Sequence, residues 1–398
     1  MRITFLLTQS LESPSGLGRY WPVSKELARL GHQVTILALH HDLGLLKERR
    51  FVKDGVQVWY VAQMHVLKTG NTKAYFSPAR LLWVASVATW RLARAALQVP
   101  TDVYHLGKPH PMNGMAALLP RFLWGKRLFL DCDDYEATSN RFAGEWQRRG
   151  VQLFEDHLPG VCNAVTVNTR FAFERIRRLG FPASRITYVP NGVDRTRFAS
   201  VDEQAVERLR TQFQLHDRRI VLYLGSLSLT SHAVDLLIEA FGSVREAVPN
   251  ATLLLVGGGE DYERLRTQAE AWGLRDVVRF VGRVPSAEAP TYYALADISV
   301  DPVRDDLASR GRCPLKIVES LATGTPVVTG DVGDRAEMLA QGGGVIVAAG
   351  DTHALTEGLL DLLLEPSRVE RLRVEALAIR QLYYWDRLIQ DFARAYDV

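Results

Sequence analysis

Short apolar runs rich in β-branched residues alternate with helical patterns from one end of this chain to the other. Strands buried on both faces read as continuous apolar runs, so the alternation predicts parallel sheets covered by helices. The pattern occurs twice in succession. The strands predicted in the first half are Ile3–Leu7, Val34–Leu39, Val56–Val61, Asp102–Leu106, Arg127–Leu130 and Ala164–Val167. Those predicted in the second half are Ile220–Leu224, Ala251–Val256, Val277–Val281, Ile298–Val300, Pro326–Val328 and Val345–Val347. The sequence therefore predicts an α/β protein with two Rossmann-like, doubly wound parallel sheets.

The boundary between the halves is predicted near residue 190, where a proline and an Asn-Gly pair interrupt the chain at Tyr188–Asp194. A chain of 398 residues is too long for one compact core of common size. We therefore predict a first domain at 1–190, a second domain at 191–375 and a cleft between them. The last segment, 376–398, has helical spacing from Trp385 to Tyr396.

Composition excludes several classes of protein. Apolar residues make up 47% of the chain and charged residues 23%, which argues against disorder. The net charge of +3 is too small for a dedicated nucleic-acid binder but permits local basic surfaces that attract phosphates. The three cysteines form no C-x-x-C pair, so we expect neither zinc nor disulfides, in keeping with a reducing cytoplasm. Met1–Thr8 is too short for a signal peptide and is predicted to be the first strand.

The longest apolar stretch, Leu81–Leu97, contains Arg91 and Arg94 and so is not expected to span a bilayer. Two interpretations stay open. It is either a mostly buried helix or part of a surface that rests peripherally on anionic lipid at the inner face of the membrane. The residues that suggest the surface are Lys68, Lys73, Arg80, Trp83, Trp90, Arg91 and Arg94.

The segment Arg312–Val328 places a carboxylate on a short helix entered from a polar loop. Pro314 suits the start of a helix, and Gly324 suits its end. The free amides of the first turn can bind an anion, and Glu319 lies one turn further in, where it can accept hydrogen bonds from a ribose diol. Together these features predict a nucleotide-sugar site.

The order Pro-Leu-x-x-x-Glu-x-x-Ala-x-Gly-x-Pro-Val-Val resembles the donor-binding segment of the retaining GT-B glycosyltransferases of family four. The resemblance implies transfer of a sugar from a nucleotide diphosphate sugar to an acceptor hydroxyl, with retained anomeric configuration and without a metal or other cofactor. It implies that segment 376–398 crosses back onto the first domain. It also implies donor-binding roles for Pro314, Leu315, Ile317 and Glu319.

The strand-to-helix loop Gly225–His232 departs from the family, which has Gly-Arg-Leu-x-x-x-Lys-Gly here. Ser226 stands at the arginine position, and the lysine position falls near Ser231 or His232. Hydroxyls and amides can still hold a phosphate, so Gly225, Ser226 and His232 remain donor-binding candidates. We predict that Arg312 and Lys316 replace the missing charges and act in catalysis.

Three glycine turns resemble further donor-side elements of the family. These are Gly16-Leu-Gly18, the turn that begins at Gly257, and the strand and turn through Gly282 and Val284, whose backbone holds the nucleobase in the family. Neither Gly16 nor Gly257 begins a G-x-G-x-x-G, because tryptophan and tyrosine stand at the third glycine position. Nicotinamide binding is therefore disfavoured.

The strand end Asp102-Val-Tyr-His105-Leu-Gly107 resembles the family's Asp-Val-x-His-x-His, with glycine in place of the second histidine. His105 is a catalytic candidate by this resemblance, although it can equally be a core residue with its hydrogen bonds satisfied. Lys108 and His110 follow the strand and are candidates for the acceptor pocket.

Four carboxylates crowd into Asp131–Glu136 after a strand. Three interpretations stay open: acceptor binding by Asp133 and Asp134, capping of the strand end, and a divalent metal at Asp131-x-Asp133. The nucleotide signals all lie in the second half, so we predict no metal site. Gly311 stands where the family has its first donor-segment glutamate. With Ser226, Gly107 and the missing lysine, this departure leaves a non-catalytic nucleotide-sugar sensor as the alternative function, ahead of an epimerase or phosphorylase.

Overall fold

Two parallel sheets form the protein, as the strand pattern predicts. The computed structural model describes residues 1–142, 144–199 and 201–397, without the side chains of residues 68, 69 and 73. The first sheet has the order β10-β9-β8-β7-β1-β2-β4-β3 and is parallel apart from the β3–β4 pair. Its strands are β1 Arg2–Leu7, β2 Gln33–His40, β3 Arg50–Lys53, β4 Val56–Gln63, β7 Val103–Gly107, β8 Arg127–Cys132, β9 Ala164–Val167 and β10 Ile186–Tyr188. A separate hairpin lies between them in sequence and consists of β5 Val66–Thr69 and β6 Thr72–Tyr75.

The second sheet has the order β13-β12-β11-β14-β15-β16, and every pair in it is parallel. Its strands are β11 Arg219–Leu224, β12 Ala251–Val256, β13 Val278–Gly282, β14 Ile298–Asp301, β15 Val327–Gly330 and β16 Gly344–Val347. Because the carboxyl ends of parallel strands share one edge, the loops that follow them gather beside the first sheet's corresponding loops. The GT-B architecture is thus confirmed.

Helices cover both faces of each sheet. They are α1 Trp21–Arg29, α2 Pro78–Gln98, α3 Pro111–Trp124, α4 Glu136–Ser139, α5 Glu145–Val161, α6 Arg170–Arg178, α7 Arg195–Phe198, α8 Glu203–Gln212, α9 Val234–Ala247, α10 Tyr262–Ala271, α11 Ala289–Leu295, α12 Leu307–Arg310, α13 Leu315–Thr323, α14 Arg335–Met338, α15 Thr352–Leu364, α16 Pro366–Ile379 and α17 Trp385–Ala393. Among the described residues, no helix combines the length and apolar character that a membrane span requires.

The last helix, α17, packs into the core of the first half of the chain. Its buried side chains Trp385, Ile389 and Phe392 join the cluster formed by strands β1 and β2 and helix α1. The indole Nε1 of Trp385 donates to the carbonyl of Gly18 at 2.8 Å. The chain therefore crosses between its halves twice, near residue 190 and again before α17, and both crossings hold the sheets together.

A buried ion pair anchors the first crossing. Arg19 and Asp131 are shielded from solvent and form a two-pronged pair, with both nitrogen–oxygen distances at 2.7 Å. Arg19 also donates to the carbonyl of Val189 and to Oδ1 of Asn191, at 3.0 and 3.2 Å. Burial alone would lower the pKa of the guanidinium, but Asp131 outweighs it and raises that pKa. The pair thus fixes the segment near residue 190, which links the two domains and is called the hinge below, against strand β8.

Helix α2 is largely exposed, so the interpretation that the stretch from Leu81 is a mostly buried helix is wrong. It buries only small or slender side chains, at Ala88, Leu92, Ala95 and Ala96. Trp83 and Trp90 are 71% and 59% exposed. Of the residues that suggest a lipid surface, the side chains of Lys68 and Lys73 lie outside the described part of the structure.

Candidate active site

Helix α13 enters the cleft as the sequence predicts. Pro314 is its N-cap residue, and Gly324 ends it in the left-handed region at φ 77°. The first turn of α13 faces the loop that follows β11, because Lys316 passes directly over Gly225. A Cβ on Gly225 would lie 2.8 Å from Cε of Lys316, so only glycine leaves the lysine this path. Ser226 lies in the same loop, where its carbonyl accepts a hydrogen bond from the hydroxyl of Tyr223 at 2.6 Å.

Two cations and a neutral histidine meet at this loop. Arg312 donates to the carbonyl of Ser231, and its Nη1 lies 3.3 Å from Nδ1 of His232. Nζ of Lys316 lies 3.4 Å from the same Nδ1. Burial, Lys316 and Arg312 hold the pKa of His232 well below its usual value, so its imidazole is neutral and Nε2 carries the proton. Nη2 of Arg312 is buried without a hydrogen-bond partner, which marks a place for an anion.

Asp301 and Arg335 form a buried ion pair that holds Lys316 in place. Neither residue was predicted from the sequence. Arg335 Nε donates to Asp301 Oδ2 at 2.9 Å, and Lys316 Nζ lies 3.4 Å from Oδ1. Burial opposes ionisation of Asp301, but Arg335 and Lys316 outweigh it and lower its pKa. Burial also lowers the pKa of Lys316, an effect that Asp301 opposes. Its position in the sequence could have identified Asp301, because it is the last residue of a strand, at the edge of the sheet where ligands bind.

Glu319 is largely buried on α13 and already has one partner. Its Oε1 accepts from Nη1 of Arg197 at 3.2 Å. The same guanidinium donates to the carbonyl of Ser286 at 2.8 Å, which ties it to the loop after β13. Arg197 was not predicted from sequence. It orients the carboxylate, and the buried hydroxyl of Tyr293 also lies close to Glu319. The predicted ribose contact stays a prediction, with one oxygen committed to Arg197.

The glycine loop of the first domain contacts the donor helix directly. Residues 16–20 form a single π-helical turn, and a Cβ on Gly18 would lie 2.4 Å from Cδ1 of Leu315. The predicted donor candidates Gly16, Gly18, Leu315 and Pro314 are thereby brought together, whereas Ile317 is fully buried in the core of the second domain. Ile317 therefore packs the helix and does not face the cleft. Gly257 packs on Gly225, while Gly282 and Val284 lie at the neighbouring turn.

Tyrosine side chains pack against two of the positions at which this sequence differs from the family. A Cβ on Gly107 would lie 2.8 Å from Cζ of Tyr20, and a Cβ on Gly311 would lie 2.8 Å from Cβ of Tyr135. Neither position has room for the histidine or glutamate that the family carries. Glycine at these two positions therefore allows the neighbouring side chains to pack closely.

His105 is a core residue, and its assignment as catalytic is wrong. It is fully buried, its ring stacks on Phe5 and Phe392 at 4.9 and 5.2 Å, and Nδ1 lies 2.7 Å from the hydroxyl of Tyr396. The cause is the return of α17, which covers this strand end. His110 lies at the start of α3, and burial lowers its pKa to about 4.

The buried imidazole of His105 predicts acid sensitivity. Burial lowers its pKa to about 4, whereas an unfolded chain titrates at about 6.5. Between these values the unfolded state binds more protons, so the free energy of unfolding falls as the pH drops. Going from about pH 7 to about pH 5 should cost about 2 kcal/mol through this group. Urea unfolding of the parental protein and of His105→Phe at both pH values measures the effect. An unchanged pH dependence in the variant would contradict it.

Lys108 pairs with the acidic segment after β8. Nζ of Lys108 lies 2.8 Å from Asp134, 2.6 Å from Glu136 and 3.6 Å from Asp133. Asp133 Oδ1 also accepts from Nδ2 of Asn168 at 2.9 Å. Lys108 therefore does not project freely into an acceptor pocket, because three carboxylates hold it.

Asp134 lies beside the second domain. It lines a small cavity between the domains together with Tyr135 and Gly311. Burial raises its pKa to about 6, although Lys108 opposes the shift. Its predicted role in acceptor binding stays a prediction. Asp131 is committed to Arg19, so the Asp131-x-Asp133 pair does not present two open carboxylates to a metal.

Within the part of the chain that the structure describes, one group of three side chains has ligand atoms close enough together for a metal ion. It consists of Glu12, His40 and His41. Nδ1 of His40 accepts from the backbone N–H of Asp42 at 3.0 Å, so Nε2 carries the proton and faces Glu12 at 3.7 Å. A protonated Nε2 cannot ligate a metal, and the geometry favours a His–Glu contact instead.

Comparison with known families accounts for most of the chain. Residues 15–192 match the family described as "Glycosyl transferase 4-like domain", and residues 218–365 match "Glycosyl transferases group 1". The two matches lie on either side of the hinge, with residues 193–217 between them. They cover the segments that form the cleft described above, apart from α7, which carries Arg197, and α17.

Similar curated proteins include sugar transferases. A GDP-mannose-dependent alpha-(1-6)-phosphatidylinositol monomannoside mannosyltransferase of Mycolicibacterium smegmatis is 34% identical over 216 residues, which are 54% of this chain and 56% of that protein. Mannosylfructose-phosphate synthase of Agrobacterium fabrum is 28% identical over 329 residues, 77% of this chain and 65% of that protein. The match thus spans about half the length of the mycobacterial relative.

Solved structures share the architecture. Sucrose-phosphate synthase from Thermosynechococcus elongatus superposes with a TM-score of 0.79 at 18% identity, covering 100% of this chain and 98% of that one. Anabaena HepE in complex with UDP-glucose gives 0.74 at 18% identity, with both chains fully covered. At this identity the likeness shows the fold alone. With the two family matches, it establishes that the chain belongs to the group 1 glycosyl transferases of family four, with the GT-B fold.

Proposed function

We propose that this protein transfers a sugar from a nucleoside diphosphate sugar to an acceptor hydroxyl, with retention of anomeric configuration and without a metal. The observation that carries the proposal is the meeting of Arg312, Lys316 and neutral His232 at the loop after β11. These groups place two positive charges and a free guanidinium nitrogen beside the first turn of α13. A diphosphate bound there would face preplaced donors in a partly buried site.

The same arrangement suits the leaving group. Charge develops on the diphosphate as the bond to the sugar breaks, and fixed cations stabilise that charge without reorganising. The departing phosphate oxygen can take the proton of the acceptor hydroxyl, which then attacks from the same face. Contact between Gly18 and Leu315 closes the two domains around this point and excludes water.

The donor that we propose to test first is GDP-mannose. One relative named above is a GDP-mannose-dependent mannosyltransferase, and a protein of Mycobacterium tuberculosis with the same name is 31% identical over 242 residues. Their named acceptor is a phosphatidylinositol mannoside, and a lipid-linked acceptor of that kind would require the cleft to approach a membrane. The alternative of a non-catalytic sensor is less favoured, because the charges missing at 226 and 231 are replaced at 312 and 316.

Glu319→Ala should weaken GDP binding about tenfold to a hundredfold. The carboxylate is held by Arg197 on one side and faces the proposed ribose position on the other, and a charge-assisted hydrogen bond contributes about 1.5–3 kcal/mol. Isothermal calorimetry with GDP measures the change. Glu263→Ala removes another glutamate, one from an exposed ion pair on α10, and serves as the control. Equal affinities in Glu319→Ala and the control would contradict the ribose contact.

We also propose peripheral contact with anionic membranes through helices α2 and α3. Both carry exposed apolar side chains, and the most exposed of these are Trp83 at 71% and Phe122 at 79%. The two helices pack side by side. Arginines accompany them on α2, where Arg94 lies 5.5 Å from the ring of Trp90. Aromatic side chains flanked by cations suit the interface of an anionic bilayer.

The double variant Trp83→Ser/Phe122→Ser should lose most of its binding to vesicles of phosphatidylcholine mixed with phosphatidylglycerol. We expect at least a tenfold drop in the partition coefficient, because two large aromatic side chains contribute roughly 1.5–3 kcal/mol each when buried. Sedimentation with the vesicles measures it. Trp272→Ser, at an exposed tryptophan of the second domain, is the control. Binding by the double variant equal to that of the control would rule out this surface.

A further inference from the structure

A hairpin of the first domain reaches across the cleft and rests on the second domain. Strands β5 and β6 belong to neither large sheet, and the turn between them consists of Gly70 and Asn71. This turn contacts the glycine turn after β12 and the turn after β13. It is therefore a direct link between the domains, far in sequence from the hinge.

Hydrogen bonds of Gly70 and Asn71 form the link. The backbone N–H of Arg283 donates to Oδ1 of Asn71 at 2.9 Å, and the N–H of Gly259 donates to the carbonyl of Asn71 at 2.9 Å. Nε of Arg283 donates to the carbonyl of Gly70 at 3.0 Å. Asn71 thus occupies two backbone donors of the second domain that would otherwise face the cleft.

The contact leaves no gap between hairpin and turns. A Cβ on Gly258 would lie 2.3 Å from the carbonyl oxygen of Asn71, and a Cβ on Gly282 would lie 2.7 Å from its Nδ2. A planar base needs about 3.5 Å on each of its faces, the distance of van der Waals contact. No base can therefore lie between Asn71 and these turns as they stand.

We propose that the Gly70–Asn71 turn is an autoinhibitory latch, which occupies the position of the donor nucleobase and must withdraw before a nucleotide sugar binds. The proposal rests on the proposed function, since it takes the turn at 282–284 to be the base site. The latch bonds are few and lie at the tip of a two-stranded hairpin. Such a hairpin is only marginally stable alone, so the second domain holds it in place.

Weakening the latch should therefore strengthen nucleotide binding. When the competent state is only partly populated, the apparent dissociation constant is the intrinsic one divided by the open fraction. Asn71→Gly removes the side-chain acceptor for Arg283 and keeps a turn that glycine adopts readily. Loss of one hydrogen bond should lower the dissociation constant for GDP by about threefold to tenfold.

Calorimetry with GDP on the full chain tests this, with Asn250→Gly as the matched control. Asn250 precedes the amino end of β12, whereas Asn71 contacts the turn after the carboxyl end of that strand, and the amide of Asn250 donates to the carbonyl of Asp217. Tighter binding by Asn71→Gly alone, with faster hydrogen exchange in residues 66–75 of the parental protein when GDP is added, supports the latch. Equal or weaker binding by Asn71→Gly overturns the latch and leaves the proposed function standing. Failure of both proteins to bind GDP or any other nucleoside diphosphate overturns the proposed function and the latch together.

Discussion

Lys316→Ala is expected to slow turnover by a factor on the order of a hundred while weakening donor binding much less. Lys316 lies over Gly225 and beside His232, held by Asp301, so its ammonium faces the place where charge develops on the leaving diphosphate. An interaction that strengthens mainly in the transition state affects the rate more than the affinity. Steady-state kinetics together with GDP calorimetry separate the two effects.

Arg312→Ala should behave in the same way, because its unpartnered Nη2 points to the same anion position. Arg310→Ala is the matched control in the same loop, since Arg310 forms an exposed pair with Asp305. If Lys316→Ala and Arg312→Ala both turn over at the parental rate while Ser226→Ala or His232→Ala does not, the loop after β11 would carry the phosphate by itself. That outcome would contradict the replacement of charge that we infer.

Arg19→Met should lower the free energy of unfolding by about 3–5 kcal/mol. Removing the guanidinium leaves the carboxylate of Asp131 buried, with the hydroxyl of Thr166 as a remaining donor. It also breaks the bonds to Val189 and Asn191 at the hinge. Urea unfolding followed by circular dichroism measures the loss.

The double variant Arg19→Met/Asp131→Leu serves as the control for this second prediction. Replacing a buried ion pair by apolar side chains of similar size is often close to neutral, so the double variant should recover much of the loss. A loss below about 1 kcal/mol in Arg19→Met would show that Asp131 is neutral or solvated without its partner.

The two sheets could be predicted because their strands are buried on both faces and so read as apolar runs. Each predicted strand coincides with an observed one to within a residue or two. The hairpin β5–β6 was missed because its strands are short and belong to neither sheet, so no long apolar run marks them. The site was predictable where one segment carries it, as with Pro314, Glu319 and Gly324.

Contacts made between distant segments were not predictable. His105 was misassigned because nothing in its own strand shows that Phe392 and Tyr396, nearly 300 residues later, cover it. Nothing beside Asp301 or Arg197 in the sequence indicates a role in the site. Their roles follow only from the partners that the fold brings to them, Lys316 and Glu319.

The most direct test of the proposed function is release of GDP from GDP-mannose in excess EDTA, with a lipid-linked mannoside as acceptor and NMR analysis of the product. We expect acceptor-dependent release that survives the chelator, falls on the order of a hundredfold in Lys316→Ala, and yields an α-linked product from the α-linked donor. Binding of GDP-mannose without release, in the presence of that acceptor, would indicate a non-catalytic binder. Release that stops in EDTA and returns with manganese would contradict metal independence, and a β-linked product would contradict retention.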